Sequence, residues 1–188
     1  MWLPIVYKEK KMIKLVTDNF LLRPLLPNDI NATYLGWLRD REVSRTLDVV
    51  GHKQTIATIT EYLSTHDNKS SFLFGIFTKN DRLIGTHSFV SSFENRVSRL
   101  GVMVGDKSFW GMGVPLETRA AILDWAFENM PCDKFESGCY SINIPAVYNF
   151  IKQGWVREGI REKTKIIDGN AVDFISYAMF KEKWYAIK

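Results

Sequence analysis

Between Ser71 and Gly105 the chain carries three apolar runs, "SFLFGIFT", "LIGTHSFV" and "SRLGVMVG", rich in β-branched and aromatic residues. Runs of this length and composition read as strands, and the polar turn "KNDR" joins the first two as a hairpin. A three-strand meander is therefore expected at the centre of the fold. The next segment narrows the choice further. The last strand ends near Gly105, "FWGMGVPLE" then places Gly111 and Gly113 one residue apart, and a helix is expected from about Pro115 to Asn129. Its buried face is read as Leu116, Ala120, Leu123 and Phe127.

The flanking elements complete an α/β pattern. "NFLLRPL" (Asn19 to Leu25) reads as a first strand, stopped by Pro24 and Pro27. "PNDINATYLGWLRD" reads as a helix with Asn28 as N-cap and Ile30, Tyr34, Trp37 and Leu38 on one face. "REVSRTLD" is a short second piece, and Gln54 to His66 a third helix through Ile56, Ile59, Tyr62 and Leu63. Downstream, "KFESGCY" is a strand, "NIPAVYNFIKQG" a helix closed by Gly154, and Asp168-Gly169 the turn of a last hairpin. This order predicts a single α/β domain over residues 12–188, on a mixed, mostly antiparallel central sheet of about six to seven strands flanked by helices. Residues 1–11 read as an N-terminal extension, because Met12 opens a sensible start of its own.

Composition removes several classes of function. The 188 residues are 46% hydrophobic and 24% charged, enough for one substantial core. No stretch approaches the roughly 20 apolar residues of a membrane span. Cys132 and Cys139 form neither a disulfide framework nor a metal-ligand spacing, so a reduced, cytoplasmic protein without metal is expected. The net charge of +4 comes from interspersed Lys and Arg, which a solvated surface explains and which also suits an anionic small ligand. The basic residues are scattered and no reader motif accompanies them, so no nucleic-acid partner is expected.

The glycine loop has a chemistry of its own. A strand, a glycine turn and a helix N-terminus aim several backbone N–H groups in one direction, with the positive end of the helix dipole behind them. Such a site suits phosphates. Pro115 fits the first helical turn, where its missing N–H has no intrahelical partner. A nucleotide P-loop would need Lys and Ser or Thr after its second glycine, where Val114 and Pro115 stand, and a dinucleotide fingerprint would need a third glycine.

In its surroundings the loop resembles the acyl-CoA pyrophosphate loop of the GNAT superfamily of N-acyltransferases. That pattern is Arg or Gln, two residues, Gly, one residue, then Gly or Ala, and Trp110, Gly113 and Pro115 hold the three places. A Trp in the first place resembles the branch containing ribosomal-protein N-terminal and amino-sugar acetyltransferases. A second match is "NIPAVYNFIKQGW", with Asn143, Ala146, Phe150, Lys152, Gly154 and Trp155, and the likeness runs from about Phe20 to Trp184. It implies acetyl-CoA as co-substrate. It further implies that the backbones of Met103 and Val104 pair with the pantetheine arm, and that Trp110, Gly111, Met112, Gly113, Val114 and Leu116 form the loop site. Asn143 would lie near the thioester, and Lys152 would face the phosphates.

The match departs from the family pattern in two respects. Pro115 offers no N–H, and neither Phe150 nor Ala146 can donate the proton that a Tyr or Ser in those places gives to the departing thiolate. The amine nucleophile needs a base. His87 is the first candidate, since its neutral form is available near pH 7, and Glu42 the second, in the segment that borders the acceptor pocket in this family. Asp40 and Asp48 are nearby groups for a polar acceptor. The resemblance implies direct transfer to a primary amine of a small molecule, an amino sugar or sugar nucleotide first, with homodimers common among relatives. The alternatives are a ribosomal-protein-type N-terminal acetyltransferase, a polyamine acetyltransferase and a CoA-binding module without catalysis.

Overall fold

In the computed structural model, which describes residues 13–188, every side chain from Phe72 to Phe77 of the strand Ser71–Thr78 is buried. A strand buried on both faces must lie inside a sheet covered on both sides, and its unbroken apolar run is the sequence form of that position. Eight strands surround and include it: β1 (Leu15–Val16), β2 (Phe20–Pro24), β3 (Ser71–Thr78), β4 (Leu83–Ser92), β5 (Val97–Val104), β6 (Lys134–Tyr140), β7 (Val156–Ile167) and β8 (Asn170–Phe180). Their order across the sheet is β1-β2-β3-β4-β5-β6-β8-β7. Among the described residues only β5 and β6 are parallel neighbours. The count exceeds the six to seven strands read from sequence because β1, two residues long, carries too little pattern to be seen. The expected extension, residues 1–11, lies outside the described residues.

Among the described residues six α-helices cover the faces: α1 (Ala32–Arg39), α2 (Arg41–Ser44), α3 (Ile56–Ser64), α4 (Val114–Asn129), α5 (Ile144–Lys152) and α6 (Lys181–Ile187). One face packs Leu73, Phe77 and Met103 beneath Tyr34 and Trp37 of α1 and Ile59 of α3. The other packs Phe72, Phe74, Phe89 and Phe135 beneath Ile122 and Phe127 of α4. There Trp125 meets Phe72, Phe74 and Phe89 edge-on at centroid distances of 5.4, 5.7 and 5.8 Å. Each such ring contributes about 1.5–3 kcal/mol by leaving water.

Two local expectations change. α1 is capped by Asn31, whose Oδ1 accepts from the N–H of Thr33 at 2.9 Å, and not by Asn28. Asn28 sits in a 3-10 turn, Pro27–Asp29, closed by the Asp29 carboxylate, which takes the Leu26 N–H at 2.7 Å and a bidentate pair from Arg23. Along α4 the buried positions are Val114, Thr118, Arg119, Ile122, Leu123, Ala126 and Phe127, a stripe displaced from Leu116 and Ala120. The last hairpin turns at Asp168 (φ 53°) and Gly169 (φ 80°), both left-handed as a type I′ turn requires.

Candidate active site

β5 and β6 pair only at Val97–Lys134, Ser98–Phe135 and Arg99–Glu136. Beyond that point β5 continues along β4 to the Val104–Gly85 pair, and β6 continues along β8 to Tyr140–Phe174, so the two strands part. A final tie crosses the gap, the Ser137 hydroxyl donating to the Leu100 carbonyl at 2.6 Å. The wedge opens into a cavity of about 1070 Å³ lined by Gly101 to Met103 of β5 and by Gly138 to Tyr140 of β6.

Which backbone groups face the wedge is set by register. Gly105 N–H donates to the Ile84 carbonyl at 2.9 Å, and alternate residues of an antiparallel ladder face the same neighbour. The amide groups of Met103 therefore turn to β4, while those of Val102 and Val104 turn to the gap. This corrects the expectation for Met103, whose side chain is part of the core beneath α1. The Val104 carbonyl already accepts the Trp110 indole N–H at 2.8 Å, which anchors the loop to the strand.

The loop itself is held by Asp106, which takes the Ser108 N–H at 3.1 Å and pairs with Arg82. Gly111 and Gly113 have φ of +77° and +74°, and a Cβ at either would meet no protein atom within 4 Å. Left-handed backbone and open space together favour glycine. Met112 N–H is spent on the Phe109 carbonyl at 3.3 Å, and Leu116 N–H on the Gly113 carbonyl at 3.0 Å. Among the described residues the N–H groups of Gly111, Gly113 and Val114 meet no protein acceptor. Three donors at the positive end of a sixteen-residue helix thus remain for an anion, and the expected contributions of Met112 and Leu116 N–H fall away.

Asn143 caps α5, its Oδ1 accepting from Ala146 N–H at 3.2 Å and its Nδ2 donating to Thr46 Oγ1 at 3.1 Å. It lines the cavity together with Ala146 and Phe150. Phe150 is 3% exposed and stacks on Tyr177 with ring centroids 4.4 Å apart. Lys152 stands outside the cavity on the exposed last turn of α5. Two residues the sequence reading missed also belong here: Arg119 of α4, whose guanidinium lies 4.3 Å from the Phe150 ring centroid, and Tyr177.

Neither proposed base reaches the cavity. His87 is fully buried on the α4 side of the sheet, with Nδ1 3.1 Å from the Gly101 carbonyl and Nε2 2.8 Å from Thr118 Oγ1. Burial, aided by the nearby Arg119 charge, pushes its pKa down to about 3, so it is neutral and ties α4 to β4 and β5. Its neighbours Thr86 and Ser88, together with Val90, are the β4 residues that line the cavity. Glu42 is exposed on α2 and pairs with Lys107 at 2.5 Å. Asp40 caps α2 and joins the same lysine at 2.7 Å.

The acceptor side of the cavity mixes hydroxyls with balanced charge. Tyr34, Thr58, Tyr62, Thr86 and Ser88 contribute hydroxyls. Around the cavity as a whole, Asp48, Glu136 and Glu158 are matched in number by Arg99, Arg161 and, on the Phe150 wall, Arg119. Burial works to raise the Glu136 carboxyl, but hydrogen bonds from Arg99 and Lys134 outweigh it and hold it below the usual range. Asp48 accepts the Tyr140 hydroxyl at 2.5 Å, and burial with this bond pushes the phenol up to about 12. No group of His, Cys, Asp and Glu among the described residues is arranged to hold a metal, and no described helix is long and apolar enough to cross a membrane.

This geometry has known counterparts. Residues 19–155 match the acetyltransferase (GNAT) domain family. A probable N-acetyltransferase of Bacillus subtilis, YjcK, is 32% identical over 114 residues, a match spanning 59% of this chain and 62% of that relative. An uncharacterized N-acetyltransferase of Bacillus licheniformis, p20, is 21% identical across 92% of this chain and 99% of its own. Among solved structures, spermidine N-acetyltransferase from Vibrio cholerae in complex with CoA and spermine superposes with a TM-score of 0.79 at 17% identity, covering 88% of this chain and 98% of that one. At that identity the likeness speaks for the fold. With the family match extending over most of the chain, from β2 through α5, the protein belongs to the GNAT family of acetyltransferases.

Proposed function

We propose that the chain transfers the acetyl group of acetyl-CoA to the primary amine of a small polar acceptor, an amino sugar or sugar nucleotide, by direct attack in a ternary complex. The observation that carries the cofactor half is the set of free N–H groups at Gly111, Gly113 and Val114 beside a wedge between β5 and β6. A pyrophosphate suits those donors, and the amide-bearing pantetheine arm suits the strand edge offered by the amide groups of Val102 and the N–H of Val104. Asn143 borders the thioester end, and Lys152 is the cation assigned to the outer phosphate.

The acceptor half rests on the hydroxyl-rich wall and on charge balance. A polycation would call for an excess of carboxylates, whereas three acidic and three basic side chains line this cavity. A sugar, with many hydroxyls and one amine, fits such a lining better. Glu136, ionised at neutral pH, is a counter-charge for the incoming ammonium, which loses its proton to cavity water. Calorimetry with acetyl-CoA, followed by thiol release against amino sugars, sugar nucleotides, polyamines and peptides, tests both halves. Turnover confined to polyamines or peptides would refute the acceptor class, and no binding of acetyl-CoA would refute the site.

A further inference from the structure

The floor of the cavity holds a cation for which the fold supplies no counter-charge. Arg119 is 2% exposed. Its Nη1 donates to the neutral Gln153 Oε1 at 3.3 Å, and its guanidinium lies over the rings of Phe150 at 4.3 Å and Trp155 at 5.3 Å. No acceptor among the described residues meets Nε or Nη2, and Arg119 is part of the cavity lining. The ionisable groups beside it are His87 of β4 and Cys139 of β6, and Tyr177 of β8 stacks on the same Phe150 ring. None is an anion near neutral pH: His87 is held neutral, burial pushes the Cys139 thiol up to about 11, and burial raises the Tyr177 phenol too. Arg119 itself, pushed down to about 10 by burial, keeps its charge.

Such a charge is costly while the cavity is empty and favourable once an anion arrives. Arg119 shares its wall with Asn143, Ala146 and Phe150, the positions that border the sulfur of the cofactor in the proposed placement. We propose that Arg119 is a catalytic residue that stabilises the departing CoA thiolate by its charge, in place of the proton donor that Phe150 and Ala146 lack. The inference rests on that placement of the cofactor in the cavity. The amine lone pair attacks the thioester carbonyl carbon, the C–N bond forms, and the C–S bond breaks with its electron pair passing to sulfur. The surplus proton on nitrogen leaves to cavity water. The thiolate stays beside the guanidinium and takes a proton from solvent on release. Phe150 contributes its ring face, which steadies the guanidinium without competing for its N–H groups.

The test titrates the thiol of bound CoA by thiolate ultraviolet absorbance, with the desulfo-CoA complex as blank, in the wild type and in Arg119→Met, Arg119→Lys and Tyr177→Phe. In the wild type the bound thiol should titrate about 1 to 3 below the free value, as expected for an opposite charge within contact range. Arg119→Lys should keep part of that depression and Arg119→Met should lose it, with turnover falling about 10- to 1000-fold. CoA affinity at a pH where the thiol is neutral should change little. A wild-type bound thiol that titrates as free CoA overturns the proposal, and this arm stands even if Arg119→Met does not fold. A depression that survives in Arg119→Met, or is lost only in Tyr177→Phe, overturns it as well. Failure of the wild type to bind CoA at all would refute the site reading itself, a result distinct from binding with an ordinary thiol.

Discussion

Replacing Gly113 by alanine separates backbone strain from ligand contact, because the hairpin offers a matched control. Gly113 and Gly169 have φ of +74° and +80°, and at both an added Cβ meets no protein atom within 4 Å. A left-handed alanine costs about 1–2 kcal/mol at either position. In a chain of 188 residues this corresponds to a fall in Tm of roughly 2–8 °C for each variant. The two should differ in binding. Gly113 N–H is one of the three donors left for phosphate, and the open space beside it is where the ligand must approach. A methyl group there displaces one charge-assisted hydrogen bond, worth about 1.5–3 kcal/mol, so Kd for CoA should rise roughly 10- to 100-fold. Gly169→Ala should leave Kd unchanged. Calorimetry and thermal melts on the same preparations measure both quantities. Equal CoA affinity in the two variants would show that the loop does not hold the pyrophosphate.

Other substitutions test individual supports. His87→Ala should lower stability by about 2–4 kcal/mol, from the cavity and the lost ties to Thr118 and Gly101, yet leave the pH dependence of turnover between 6 and 8 unchanged; a lost pH limb would restore His87 as a base. Asp29→Asn should cost about 1–3 kcal/mol at neutral pH. Burial works to raise the Asp29 carboxyl, but the Arg23 hydrogen bonds and the Leu26 N–H hold it below its ordinary value. Its folded pKa is thus the lower one, so the stabilisation is present above about pH 4 and disappears as pH falls through the folded value. Urea midpoints for the wild type and Asp29→Asn should converge in acid. Gly36→Ala, at an exposed α1 position with free space around it, should add about 0.4–1 kcal/mol by the same assay.

The sequence disclosed the sheet well, because β3, β4 and β5 combine β-branched and aromatic residues with short polar turns, and because Asp168-Gly169 is a strong turn signal. It disclosed the loop through its two glycines. It misled on His87 because a strand alternates faces: placing His87 on β4 does not say which side it takes, and the core took it while Thr86 and Ser88 went to the cavity. The first helix began three residues late for a similar reason of local competition. Asp29 closes the turn at Pro27–Asp29 with Arg23, and only Asn31 is then free to cap α1. Arg119 was invisible because an arginine in an amphipathic helix reads as solvent-facing, and nothing in its neighbours announces that α5 and Trp155 will cover it.

The three residue pairs between β5 and β6 leave the sheet as two sub-sheets, β1 to β5 and β6 to β8, hinged at one end. On our reading a bound pantetheine arm acts as a missing ninth strand that seals this seam. Amide exchange along Val102 and Val104 should then be fast in the free protein and slow in the complex, and melting temperature should climb with CoA concentration as binding is counted into folding. Cooperativity between the two halves of the molecule would in that sense be supplied by the cofactor, so that the protein free of both CoA and acetyl-CoA would be its loosest form.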